Sequence, residues 1–183
     1  IFHVDANSAF LSWTAAYRVR VLGESLDLRD IPSVIAGDKA SRHSIILAKS
    51  GPAKKYGIQT GEPLFQALEK CPDLVVAPPD YSLYVEASRH FVQMLRQFSP
   101  MVQQYSIDEA WVDMTGTQRI FGAPRLAAEK MRQRIWEELG FTVNVAISSN
   151  KLLAKMAGDF EKPTKGHTLC PEETESKMSP LPL

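Results

Sequence analysis

The stretch that most constrains this chain is Tyr105-Ser106-Ile107-Asp108-Glu109-Ala110-Trp111-Val112-Asp113. It sets two adjacent carboxylates inside an otherwise apolar, strand-like segment. Burying one unpaired carboxylate is costly, and two side by side are worse. A fold that keeps such a pair usually has a cation there to neutralise it. A second strand-like run, Ile1-Phe2-His3-Val4-Asp5, also ends in a carboxylate. Neighbouring strands lie roughly 5 Å apart, so pairing of these two runs brings Asp5, Asp108 and Glu109 to one place. That is a ligand set for hard divalent cations such as magnesium, which takes one or two carboxylates plus substrate phosphates. Two such ions about 3.5–4 Å apart drive in-line displacement at phosphorus. The plainer reading is a solvated hairpin tip, because Asp-Glu pairs are common. Successive strand residues also face opposite sides, so both carboxylates reach one site only if a turn or bulge falls there. Ser106 is a turn former, and a hairpin near it meets that requirement.

The rest of the chain supplies a frame for this pair. Residues 1–6 read as a buried strand and 8–22 as a helix, with Ser8 as N-cap and Gly23 as its stop. The segment 23–80 has short apolar runs broken by Gly and Pro, and a basic run of Lys39, Arg42, Lys49, Lys54 and Lys55. It reads as a small α/β insertion. A helix over 81–98 carries Tyr84, Ala87, Phe91, Leu95 and Phe98 on one stripe. Strands at 101–107 and 109–114 follow. Then come a helix at 124–139 closed by Gly140, a strand at 141–147, a helix from about 150 to 160, and a short strand at 167–170. Without the insertion the order is the split βαβ, or ferredoxin-like, arrangement. The predicted class is α+β with a mainly antiparallel sheet. Its first strand falls mid-sheet beside the hairpin, which makes Asp5 a neighbour of Asp108 and Glu109.

Charge narrows the function. Among 183 residues, Lys plus Arg number 21 and Asp plus Glu number 21. A neutral chain is not drawn to nucleic acid as a whole, so any such binding rests on local patches. Cys71 and Cys170 lack CxxC spacing and read as free thiols of a reducing compartment. No apolar run is long enough to span a bilayer.

Four segments then resemble one family, the Y-family or translesion DNA polymerases of the impB/mucB/samB group. Val4-Asp5-Ala6-Asn7-Ser8-Ala9-Phe10 resembles its opening D-x-[DN]-x-[FY]-[FY]. Tyr105-Ser106-Ile107-Asp108-Glu109-Ala110 is close to identical to its Y-S-I-D-E-A. The run from Ala146 to Pro163 is similar to G-I-[AS]-x-[NT]-K-x-[LF]-A-K-x-A-[SA]-D-x-x-K-P. Tyr56-Gly57-Ile58-Gln59-Thr60-Gly61-Glu62-Pro63 matches its fingers run. Within the family the chain looks nearest to the mutagenesis-protein branch that includes the catalytic subunit of DNA polymerase V.

The resemblance implies a palm at 1–10 and 80–168, a fingers insertion at 11–79, and the start of a thumb at 169–183. It implies a lesion-bypass DNA polymerase that moves a nucleotide from a dNTP to a primer 3′-hydroxyl. Two Mg²⁺ ions, replaceable by Mn²⁺, would be held by Asp5, Asp108, Glu109 and the carbonyl of Ala6. Phe10 would be the steric gate against a 2′-hydroxyl. Lys54 and Lys162 would meet the triphosphate, and Lys151 and Lys155 the DNA backbone. Implied partners are primer–template DNA and dNTP, with a sliding clamp and accessory subunits for the full-length protein, in the cytoplasm and not on a membrane. The chain departs from the family pattern at Ala9, where a second aromatic is usual, and at Gly51 and Lys54, where many members carry Tyr and Arg. It stops before the thumb and little finger, which grip most of the DNA, so this piece is expected to be weakly active or inactive alone. Two other readings stay open. One is a nucleotidyl cyclase, which would want a glycine-rich hairpin in place of Tyr105-Ser106-Ile107. The other is a polymerase-like accessory protein without activity.

Overall fold

The computed structural model describes residues 1–38, 43–159 and 167–168. Lys39, Arg42, Lys162 and Cys170 lie outside the described residues, as do positions 169–170 of the last expected strand. The chain divides into two compact units, one of residues 1–7 and 88–183, the other of 8–87.

The first unit is built on a five-stranded sheet in the order β5-β6-β1-β7-β8. These strands are β1 (Phe2–Ala6), β5 (Val102–Gln104), β6 (Glu109–Val112), β7 (Val143–Ile147) and β8 (His167–Thr168). β1 pairs antiparallel with both β6 and β7, and β5 pairs antiparallel with β6; only β8 joins in parallel, on β7. This is the expected ferredoxin-like order with the first strand inside.

Alternation along β1 explains the two faces of the sheet. Phe2 and Val4 are 2% and 0% exposed. They align with Val112 and Ala110 on one side and with Ile147 and Val145 on the other. That face is apolar and forms the main core. It is covered by α6 (Pro124–Leu139), which packs on β7 and buries Ala127, Met131 and Ile135. The end of α4 (Tyr81–Arg96) also belongs to this unit, and its Phe91 meets Phe141 edge-on at 6.0 Å. Gly140 ends α6 with φ 81°, a left-handed backbone that favours glycine.

The opposite face carries two rows set by register. Gln103, Trp111, His3 and Ala146 form one row; Glu109, Asp5 and Asn144 form the other. α7 (Lys151–Asp159) lies on this face through small residues, Ala154 and Ala157, both buried. A Cβ added at Gly158 would meet His3 Nδ1 at 3.4 Å, so helix and sheet are close there.

The second unit has a three-stranded sheet, order β3-β2-β4, made of β2 (Ser33–Ala36), β3 (Ile46–Lys49) and β4 (Val75–Ala77). β3 is antiparallel to β2 and β4 parallel to it. Both faces are buried. Val34, Ala36 and Ile46 pack with Ala53, Leu64 and Ala67 of the helices α2 (Gly51–Lys55) and α3 (Leu64–Lys70). Ile35, Ala48 and Ala77 pack with Leu11 and Ala15 of α1 (Ala9–Arg20). Two-sided burial is why these strands read as unbroken apolar runs instead of alternating ones.

Two local expectations change. Ser8 stands at the N-cap of α1, but in the left-handed region (φ 46°, ψ 52°) and with no side-chain cap bond. Its φ of 46° turns the hydroxyl away from the first-turn amides that a cap of extended backbone would serve. A short helix, α5 (Gln118–Phe121), falls where no element was expected; four residues leave no periodicity to read.

Candidate active site

The hairpin between β5 and β6 settles the facing problem raised by two adjacent acids. Residues 106–108 form a bend, and Glu109 is the first residue of β6. The amides of Tyr105 and Ser106 both donate to the Glu109 carbonyl, at 3.0 and 3.3 Å. Strand alternation therefore stops before Asp108. The Ser106 hydroxyl lies 2.7 Å from Asp108 Oδ1 and 3.4 Å from Glu109 Oε1. One hydroxyl thus draws the two carboxylates to the same spot. Asp5 enters from β1, directly opposite Glu109. The Ala6 amide donates to the Asp108 carbonyl at 3.0 Å, which extends the β1–β6 ladder into the bend.

Glu109 is held by two donors on one oxygen. His3 Nε2 lies 2.9 Å from its Oε2, and Lys155 Nζ donates to the same oxygen. Burial pushes the Glu109 carboxyl up, but the hydrogen bonds from Lys155 and His3, with their charges, outweigh it and hold the carboxyl below its usual range. The Lys155 ammonium also sits 4.6 Å from the centre of the Tyr105 ring. Asn144, opposite Asp5, is buried at 2%. Its Nδ2 donates to the Gly158 carbonyl at 2.9 Å, while its Oδ1 has no hydrogen-bond partner.

Among the described residues no group of three or more His, Cys, Asp or Glu side chains is gathered closely enough to hold a metal ion. The donor set nevertheless suits a hard cation: all-oxygen carboxylates from adjacent strands, two of them bridged by one hydroxyl. Glu109 faces Lys155 and His3, so a cation of the protein already sits on one of its oxygens.

The remaining predicted residues are placed as follows. Phe10, half-buried in α1, stacks on Tyr84 with ring centres 4.4 Å apart and planes 10° from parallel. Lys54 is exposed on α2. Lys151 opens α7, where its Nζ donates to Gln103 Oε1 and lies 5.8 Å from the Trp111 ring centre. The Trp111 indole in turn donates to the Lys151 carbonyl at 3.1 Å. Sequence reasoning missed His3, Asn144 and Ser106's link between the acids. His3 had a signal, since it stands two residues before Asp5 and shares its face.

The candidate site therefore has Asp5 on the central strand of the sheet and Asp108 and Glu109 at the adjacent hairpin. The profile of the impB/mucB/samB family matches residues 4–159, and the chain belongs to that family. It is 51% identical over its whole length to DNA polymerase IV of Clostridium acetobutylicum, covering 46% of that protein. It is 41% identical to DNA polymerase IV of Moorella thermoacetica, over 98% of this chain and 43% of that one. The chain therefore spans a little under half the length of these relatives. The crystal structure of DinB from Sulfolobus solfataricus shares the fold, with a TM-score of 0.78 at 24% identity over 96% of this chain and 49% of that one. A Y-family DNA polymerase chimera gives 0.80 at 24% identity, over 96% and 50%.

Proposed function

We propose that this chain is the catalytic palm and fingers of a translesion DNA polymerase, with the palm at 1–10 and 80–168 and the fingers at 11–79. The observation that carries the reading is the Ser106 hydroxyl shared by Asp108 and Glu109, with Asp5 in register across from Glu109. Asp5, Asp108, Glu109 and the Ala6 carbonyl are the groups that would hold two divalent cations, Mg²⁺ or Mn²⁺. Such ions supply Lewis-acid activation of a primer hydroxyl and neutralisation of phosphate charge. The chain's own residues do the rest. Ser106 and the β1–β6 register fix the acids. Phe10 bars a 2′-hydroxyl from beneath the incoming sugar. Lys54 and Lys162 meet the triphosphate, as fixed cations should. Lys151 and Lys155 lie along the DNA backbone.

One structural neighbour is an insertion ternary complex of the Dbh DNA polymerase. That supports primer–template DNA and dNTP as the partners here, and a sliding clamp and accessory subunits belong to the full-length protein. The cell compartment is the cytoplasm, at the nucleoid. Among the described residues no helix is long and apolar enough to cross a membrane.

The test is Asp108→Asn in the full-length polymerase. Losing a carboxylate that would hold the ions should lower primer extension by at least about a hundredfold. Near-normal extension by a correctly folded variant would sink the assignment.

A further inference from the structure

We infer that Lys155 is an internal counter-ion for the site: its ammonium takes, at Glu109 Oε2, the charge position of a divalent cation, so ion pair and metal exclude one another. This rests on the reading of Glu109 as a metal ligand.

Geometry carries the inference. Lys155 sits on α7, which lies flat on the site face because Ala154, Ala157 and Gly158 leave no bulk between helix and sheet. From there its Nζ reaches Glu109 Oε2, the oxygen that His3 Nε2 also approaches at 2.9 Å. The opposite oxygen, Oε1, faces Ser106 and through it Asp108. Both Glu109 oxygens are thus occupied. The two cationic or donor groups stand on one, while the link to the second acid stands on the other. The Tyr105 ring forms a second wall for the ammonium, 4.6 Å away at its centre.

Without a cation, a carboxylate linked through Ser106 to Asp108, and on the strand residue paired with Asp5, would be repelled by their charges. Lys155 relieves that repulsion and holds the Glu109 carboxylate in place. A divalent ion arriving at the same carboxylate would meet the ammonium at contact range, and like charges there are strongly unfavourable. Lys155 must then swing off Glu109. Its partly exposed side chain, 33% accessible, leaves room for that movement. The released ammonium then faces solvent beside the site, where a nucleic-acid phosphate is the natural new partner.

The experiment measures Mn²⁺ binding to the 183-residue chain by electron paramagnetic resonance, with no catalytic turnover involved. Wild type, Asp108→Asn, Lys155→Met and Lys155→Arg are compared, each checked for folding by circular dichroism. Removal of the competing cation should tighten Mn²⁺ binding about fivefold or more in Lys155→Met, with Lys155→Arg close to wild type. In parallel, amine acetylation followed by mass spectrometry should show Lys155 labelled faster when Mn²⁺ is added. If Asp108→Asn binds Mn²⁺ as wild type does, the metal-ligand reading fails. If Asp108→Asn weakens binding but Lys155→Met binds no tighter than wild type, that reading stands and the counter-ion inference is overturned. A Lys155 labelling rate unmoved by saturating Mn²⁺ overturns it as well.

Discussion

Phe10 is the residue where packing and selectivity can be separated most cleanly. Its ring stacks on Tyr84 at 4.4 Å and stands 6.2 Å from the Trp13 ring. It is half-buried against a cluster that includes Leu11, Ala15 and Leu28. Truncating a fully buried Phe costs about 3–5 kcal/mol. A half-buried ring should lose about half of that, and the lost stack adds about 1 kcal/mol. Phe10→Ala should therefore destabilise this chain by about 2.5–3.5 kcal/mol. For a chain of this size that is a fall in melting temperature of about 5–14 °C. A purely structural ring would stop there. A steric gate would in addition raise the ratio of ribo- to deoxynucleotide incorporation by the full-length polymerase, with deoxynucleotide use largely kept. The assay is single-nucleotide primer extension with matched dNTP and rNTP, read beside a melting curve. A melting point shifted by less than about 1 °C would refute the packing estimate. An unchanged incorporation ratio in a folded variant would refute the gate.

Three further outcomes follow from contacts elsewhere. Ser50 caps α2 by accepting from the Ala53 amide at 3.1 Å, accepts from the Ser33 amide at 3.1 Å, and donates to the Ile31 carbonyl at 2.7 Å; Ser50→Ala should cost about 1–3 kcal/mol in urea melts, and a loss below about 0.5 kcal/mol would contradict that linkage. The Asp27 carboxylate accepts the Arg29 guanidinium, at 2.6 Å from Nη2, and this bond first of all holds the carboxyl below its ordinary value of 3.8. The folded pKa lies below the unfolded one, so its stabilisation is present above pH 3.8 and lost as pH falls through the folded value. Asp27→Asn should thus cost up to about 1 kcal/mol at pH 7 and nothing in strong acid; an equal loss at both pH values would speak against the pair. At Gly158 an added Cβ finds ordinary contacts of 3.4–3.7 Å. Gly158→Ala should accordingly be neutral or stabilising by up to about 1 kcal/mol, whereas Gly158→Leu should cost about 2 kcal/mol or more by lifting α7 off His3; equal melting points for the two would disprove the close approach.

The fold was legible where burial is one-sided and elements are long. The α4 stripe of Tyr84, Phe91 and Leu95 is fully buried, as helical spacing requires. The order of strands around β1 followed from the split βαβ arrangement alone. Short elements were not legible. α5 is a single turn, and the cap of α1 depends on a backbone angle at Ser8 that no side-chain preference announces. The units divide at 7/8 and 87/88, whereas composition marks an insertion at 23–80 and the family resemblance implies one at 11–79. Composition changes only where Gly and Pro become frequent, and Tyr81 to Ala87 of α4 look no different from the rest of that helix.

The acids themselves were visible because a carboxylate pair in an apolar strand is expensive and needs a reason. What surrounds them depends on register, which the sequence does not state. His3 and Asn144 join the site only because β1 pairs in one alignment with β6 and β7; a one-residue slip of β1 would turn His3 to the apolar face, and one of β7 would do the same to Asn144. Lys155 shows the same dependence through a helix. Its spacing from Lys151 put both lysines on one face of α7, and that face suggested phosphate. The docking of α7 then decides what each lysine meets: Lys151 reaches Gln103 and Trp111, one turn away from the acids, while Lys155 reaches Glu109. A single lysine facing both a carboxylate and solvent can serve the two roles in sequence. On the counter-ion inference it would balance Glu109 before a metal arrives and turn to phosphate afterwards, so the positive charge of α7 would become available to DNA only once the site is loaded.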